Sequence, residues 1–176
     1  MCFLFEGMEL QGRDLYIKEG CVSCHSQMIR PFRSETERYG EYSKAGEFVY
    51  DHPHLWGSKR TGPDLQREGG KYGNAWHFNH MLDPQTMSPG SIMPPYEWLI
   101  TQTLDTSTTR SKINAMRTLG VPYEEGYENR ANTDLDKQAK EIAEDLQKNN
   151  IKVKSDKEII ALIAYLQRLG TDIKAN

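Results

Sequence analysis

Cys21, Cys24 and His25 stand together in "GCVSCHSQMIRPF", residues 20–32: two thiols three positions apart, with an imidazole directly after the second. Three chemistries use such a set. A structural zinc site wants four ligands, usually from a second Cys or His pair at close spacing. The chain has no second Cys-x-x-Cys, and His52 and His54 would complete a Cys2His2 set only at an unusually tight spacing, leaving His25 without a role. Disulfide exchange of the thioredoxin kind wants a strand before the motif and a parallel-sheet setting, whereas a helix is expected there. Covalent haem attachment employs all three residues. The thiols bond to the two vinyl groups of the porphyrin, and the adjacent histidine binds iron beneath the ring. The motif therefore points to one covalently attached haem c as cofactor.

A six-coordinate haem needs a second axial ligand. Met28 is too close to His25 to cross to the opposite face of the ring, and Met116 lies on a helical stripe that reads as core. Met81, Met87, Met93, His77 and His80 are left. Met93 is the foremost candidate and Met87 the next. Met93 lies in "SIMPPYEW", where Pro94 and Pro95 stiffen the chain without calling on backbone donors. A rigid loop of this kind can hold a weak thioether against iron; the plainer reading is a methionine filling a gap in the core. His–Met ligation raises the reduction potential relative to two histidines, which suits an electron carrier.

These residues need elements to position them. "ELQGRDLYIKEG", residues 9–20, reads as a short helix with Leu10, Leu15 and Ile17 available for burial and Gly20 as its stop. Residues 26–70 keep neither a period of two nor of 3.6 and read as loop, while their aromatic content argues for order rather than disorder. Residues 74–83 form a short helix ended by Asp83-Pro84, and the proline-rich stretch 84–97 reads as loop. Residues 107–119 and 134–148 are helical, the second with Leu135, Ala139, Ile142 and Leu146 on one stripe. The closing helix has Ile159, Leu162, Ile163 and Leu166 at i, i+3, i+4 and i+7, a capping box at Ser155/Glu158, and Gly170 after it. No alternating strand pattern and no internal repeat is present.

Composition bounds the rest. The chain has 176 residues, 37% of them hydrophobic and 27% charged, enough for one domain with a sizeable core. A net charge of −3 gives no basic field for nucleic acid. No apolar run approaches the roughly 20 residues of a membrane helix. Residues 1–8 read as a terminal remnant or tag and 9–176 as a single domain, with an inserted loop at 26–60 and C-terminal helices over 134–170. Cys2, at the apolar terminus, reads as an incidental free thiol, because three cysteines make no disulfide framework.

Three resemblances sharpen this. "TGPDL", residues 61–65, resembles the Gly-Pro-x-Leu segment of small c-type cytochromes, which implies that the Pro63 carbonyl accepts the other ring N–H of His25 and that Leu65 packs on the haem. The closing helix looks like the C-terminal helix of a class I cytochrome c. The long stretch "CHSQMIRPFRSETERYGEYSKAGEFVYDHPHLWGSKRTGPDL", residues 24–65, continued by "GGKYGNAWHFNHMLDPQTMSPGSIMPPYEWL", closely resembles the mono-haem cytochrome c subunit of cbb3-type cytochrome c oxidases. That resemblance covers roughly residues 9–170. It implies a mainly α, class I cytochrome c-like fold around one covalent haem, with a long irregular insertion after the motif. It implies Cys21 and Cys24 as thioether anchors and His25 and Met93 as iron ligands. It also implies an electron-transfer subunit that does no bond chemistry itself. Electrons would pass from a cytochrome c donor or a di-haem sister subunit to a haem–copper catalytic subunit that reduces oxygen, at the periplasmic face of the membrane. Family members are anchored by an N-terminal membrane helix, so the chain is expected to be a soluble domain of a longer protein. Arg30, Arg33, Arg38 and Trp56 fall in the matched insertion and are expected at a subunit interface or against haem propionates. The alternatives are a stand-alone mono-haem cytochrome c and a peroxidase-like haem enzyme, the latter needing an open sixth position on iron.

Overall fold

A computed structural model describes residues 4–175. In chain order its α-helices are α1 (Gly7–Lys18), α2 (Arg33–Tyr39), α3 (Asn74–Leu82), α4 (Pro84–Met87), α5 (Trp98–Thr101), α6 (Thr109–Thr118), α7 (Tyr127–Lys148) and α8 (Glu158–Arg168). Among the described residues there is no strand, only an isolated bridge between Thr103 and Lys157, so the chain is mainly α as expected. No helix among these residues is long and apolar enough to cross a membrane. Cys2 falls outside them.

The centre of the molecule is α8. Its sequence predicts one apolar stripe, yet every residue from Glu158 to Leu166 is buried, Ile160, Ala161, Ala164 and Tyr165 along with the stripe itself. A helix that is apolar nearly all round has no face to give to water and becomes the core. Each of its buried Ile and Leu side chains contributes roughly 1.5–3 kcal/mol by leaving water. The expected capping box does not form. Lys157 is the N-cap, and the Glu158 N–H instead donates to the Gln102 carbonyl at 3.2 Å, tying the start of α8 to the segment after α5.

Helix α1 packs across α8 and begins earlier than the sequence suggests. The Glu6 N–H donates to the Glu9 carboxylate at 2.8 Å, and Met8 is fully buried, so the boundary drawn after residue 8 falls inside this helix. Gly12 makes the crossing possible: a methyl group there would lie 1.9 Å from the Ala161 carbonyl oxygen. Gly20, with φ +74°, ends the approach to the Cys-x-x-Cys-His turn.

Helix α7 starts at Tyr127 rather than at 134. Its first turns carry Tyr127 and Ala131 into a second apolar cluster with Leu10, Ile113, Met116, Val121 and Tyr123. The intervening Asn, Arg, Glu and Thr residues hide that register in the sequence. Helix α4 corrects the reading of 84–97 as loop throughout. Pro84 occupies its first turn, where a missing N–H costs nothing, and the Asp83 carboxylate accepts from the Gln85 N–H at 3.1 Å. The insertion is largely irregular, but α2 and a 3₁₀ turn at Ala45–Phe48 interrupt it. Buried ion pairs hold it: Arg13 with Asp51, and Arg67 with Glu47.

Candidate cofactor site

The Cys-x-x-Cys-His motif folds as a 3₁₀ turn over Cys21–Ser23, with the Cys24 and His25 N–H groups both donating to the Cys21 carbonyl. The two thiols are not joined to each other. Burial, with Glu19 adding to it, pushes the Cys21 thiol up to about 12, so it stays protonated at neutral pH. That is the reverse of the lowered thiol of a disulfide-exchange centre.

His25 is held by its neighbour loop. Its Nδ1 lies 2.8 Å from the Pro63 carbonyl oxygen. A carbonyl only accepts, so the proton sits on Nδ1 and the Nε2 lone pair is free for a metal. Burial pulls the imidazole below its ordinary pKa, while Pro63 and the Asp64 carboxylate pull it back. Two backbone bonds clamp the loop alongside the motif, Gly62 N–H to Cys24 O at 3.0 Å and Leu65 N–H to Ser26 O at 2.9 Å. Gly62 is pressed so closely on the ring that a Cβ there would lie 2.3 Å from His25 Cε1.

His25 faces a cavity of about 450 Å³. All six residues singled out in the sequence line it: Cys21, Cys24, His25, Pro63, Leu65 and Met93. Leu162 and Leu166 of α8 and Met81 of α3 supply apolar wall. Met93 is half-buried against the core, and the loop that carries it is tied back to α3 by the Tyr96 N–H on the Met81 carbonyl at 2.7 Å. Of the other methionines weighed, Met81 lines the cavity, Met87 does not, and Met116 belongs to the second cluster. His52 and His54 lie outside the cavity lining, His54 stacking on Trp56, and no group of His, Cys, Asp or Glu among the described residues is arranged to hold a metal by itself. Arg30, Arg33, Arg38 and Trp56 do not line it either. Arg30 and Arg33 pair with Glu35 and Glu37, and Arg38 lies over the Tyr39 ring.

One wall was not foreseen as a unit in the sequence, where His77 and His80 were weighed only as iron ligands. Tyr72, Trp76 and His80 stack in a column, ring centroids 4.0 and 4.6 Å apart, with His77 edge-on to Trp76. Their spacing of four was legible, but nothing in it marks a binding wall. His77 is 1% exposed, and burial, with His80 adding to it, pushes its pKa down to about 4, so it is neutral. Tyr16, His77 and His80 line the cavity, and Tyr16 Oη, His77 Nε2 and His80 Nδ1 are buried without a hydrogen-bond partner. A mainly apolar cavity lined by aromatic rings and a few polar side chains suits an occupant with a flat apolar body and a few polar groups. A haem fits that description, with an imidazole whose Nε2 is free and two thiols already in the lining.

A family model described as cytochrome c oxidase, mono-heme subunit/FixO, matches residues 4–173. No curated protein matches the chain.

Proposed function

Because the chain belongs to the FixO family of mono-haem cytochrome c oxidase subunits, we propose that Cys21 and Cys24 bind its one haem covalently and that His25 and Met93 are the ligands to iron. The observation that carries the reading is the convergence of these four residues on one cavity, with His25 fixed in the ligating tautomer by Pro63. Bound there, the haem supplies one-electron transfer between ferrous and ferric iron. The chain's own work is to hold it. Each Cys S–H adds across a vinyl double bond, sulfur to one carbon and hydrogen to the other, so attachment needs no oxidant. Leu65, Leu162 and Leu166 exclude water from the ring faces, which limits the reorganisation that each electron transfer costs. In the oxidase, the subunit passes electrons from a cytochrome c donor or a di-haem subunit to the haem–copper catalytic subunit at the periplasmic face. The resemblance over residues 24–65 supports that assignment of partners. Met93 on its tied loop weighs against an open, peroxidase-like sixth position.

A Met93→His variant tests the ligand set. A second imidazole keeps iron six-coordinate but lowers the potential relative to His–Met. The expected midpoint drop is a sizeable fraction of the roughly 0.8 V that axial ligands span, with loss of the methionine-to-iron charge-transfer band. An unchanged band and potential would assign the thioether to another residue, Met81 being the one that also lines the cavity.

A further inference from the structure

We propose that Asp64 is a positioning residue for His25: its buried carboxylate, balanced by Arg60, fixes the Pro63 carbonyl against the ligand's Nδ1–H. The inference rests on the haem reading above and adds a role for residues that do not touch the ring.

Asp64 follows Pro63 directly, and its side chain is fully buried. Its four hydrogen bonds reach across two segments. Oδ2 accepts from Ser26 Oγ at 2.6 Å, from the Met28 N–H at 3.0 Å and from Arg60 Nη2 at 3.3 Å; Oδ1 accepts from the Gln66 N–H at 2.9 Å. Ser26 follows His25 as directly as Asp64 follows Pro63. The Asp64–Ser26 bond therefore runs beside the His25–Pro63 bond, one residue along on each segment.

Burying a carboxylate this deep is tolerated only where it is paired and hydrogen-bonded. Arg60 meets that need and extends the frame into the insertion. Its Nε donates to Ser26 Oγ at 2.7 Å, and Nη2 donates to the Met28 carbonyl and to Glu35 Oε2, both at 2.8 Å. The Ser26 hydroxyl thus gives its one proton to Asp64 and accepts from Arg60, using each capacity once. Glu35 in turn accepts from the Arg30 N–H at 2.8 Å, and Arg60, chiefly, holds its carboxyl down at about 2. The insertion at 26–60 acts, through Arg60, as a brace on the loop that orients the iron ligand.

The consequence is redox tuning. A firm Nδ1–H bond to a carbonyl makes the imidazole a stronger donor through Nε2, and a fixed negative charge nearby favours the more positive iron. Both favour the ferric state, so loosening the frame and removing the charge shift the potential the same way, upward.

The test uses the haem-loaded protein. Asp64→Asn is expected to raise the midpoint potential and to speed hydrogen exchange of the His25 Nδ1–H roughly tenfold, the scale of one lost charged hydrogen bond, while the methionine-to-iron band persists. Ser26→Ala, which removes the hydroxyl's bonds to Asp64 and from Arg60 but no charge, should move both readouts the same way by less, and serves if Asp64→Asn does not accumulate. Asp51→Asn, which breaks the buried pair with Arg13, should lower the melting temperature and leave potential and exchange alone. Unchanged potential and exchange in both frame variants would overturn the proposal, as would an equal shift in Asp51→Asn. A colourless unaltered chain, with no haem per polypeptide, would overturn the haem reading as well and so is told apart from either.

Discussion

A Gly12→Val chain is expected to yield little folded protein. Helices α1 and α8 cross there with no side chain between them: a Cβ on Gly12 would lie 1.9 Å from the Ala161 carbonyl oxygen and 2.7 Å from Tyr165 Cβ. The obstructing atoms are backbone and a Cβ, so no rotamer change relieves the overlap, and the helices must separate. Helix α8 has no free direction to move, because Ile159 to Leu166 are buried on every side and Leu162 and Leu166 also wall the cavity. Overpacking typically costs 1–3 kcal/mol and occasionally more, against a total stability of about 5–15 kcal/mol. Valine, with two further methyls on a clash already involving backbone, belongs at the upper end. Gly12→Ala should fold with a clearly lowered melting temperature. Gly46→Ala, where an added Cβ meets nothing within 4 Å, should be near neutral. A Gly12→Val protein that melts with the unaltered chain would mean that the α1–α8 crossing is wrong.

The second large effect is at the site. Gly62→Ala is expected to cut haem incorporation several-fold. Its Cβ would lie 2.3 Å from His25 Cε1 and 2.8 Å from each ring nitrogen, inside the space the imidazole occupies. The ring cannot step aside without breaking its 2.8 Å bond to Pro63, and Gly62 is itself pinned to the Cys24 carbonyl. Either the ligand turns away from the cavity or the loop lifts and the tautomer is no longer set. Haem per chain, read by the alkaline pyridine assay, measures the loss. Gly73→Ala, with open space around the added methyl, is the matched control. Equal haem content in the two variants would place His25 elsewhere than against Gly62.

The parts of the fold carried by short-range pattern were legible in the sequence. The period of Ile159, Leu162, Ile163 and Leu166 located α8 because three-residue and four-residue spacing is a local property of one helix. The same pattern could not foretell that α8 would be enclosed on all sides, which depends on α1 and α7 packing around it. Helix α2 was hidden because "RSETERY" buries only Glu35 and has no apolar face to detect. Ser155 looked like a cap, but a partner from far along the chain, the Gln102 carbonyl, took the Glu158 N–H instead. At the site, Cys21, Cys24 and His25 could be singled out because the chemistry fixes their spacing, and "TGPDL" through its resemblance to the Gly-Pro-x-Leu segment of small c-type cytochromes. Asp64, Arg60 and the stacking of Tyr72 and Trp76 with His80 were not assigned, His80 having been weighed only as an iron ligand. Their roles rest on contacts such as Arg60 with Ser26 and Glu35, which join segments far apart in the chain and leave no local signature.

The account turns on a haem held by Cys21 and Cys24 and ligated by His25 and Met93. The most direct test is the visible spectrum of the pure protein, made in cells able to attach haem c, recorded oxidised and reduced and followed by acid–acetone extraction and the alkaline pyridine assay. The account predicts one haem per chain that stays with the polypeptide on extraction, a sharp low-spin α-band on reduction, and a methionine-to-iron band in the oxidised protein. Haem that extracts into the organic phase, or a high-spin spectrum without the methionine band, would contradict it.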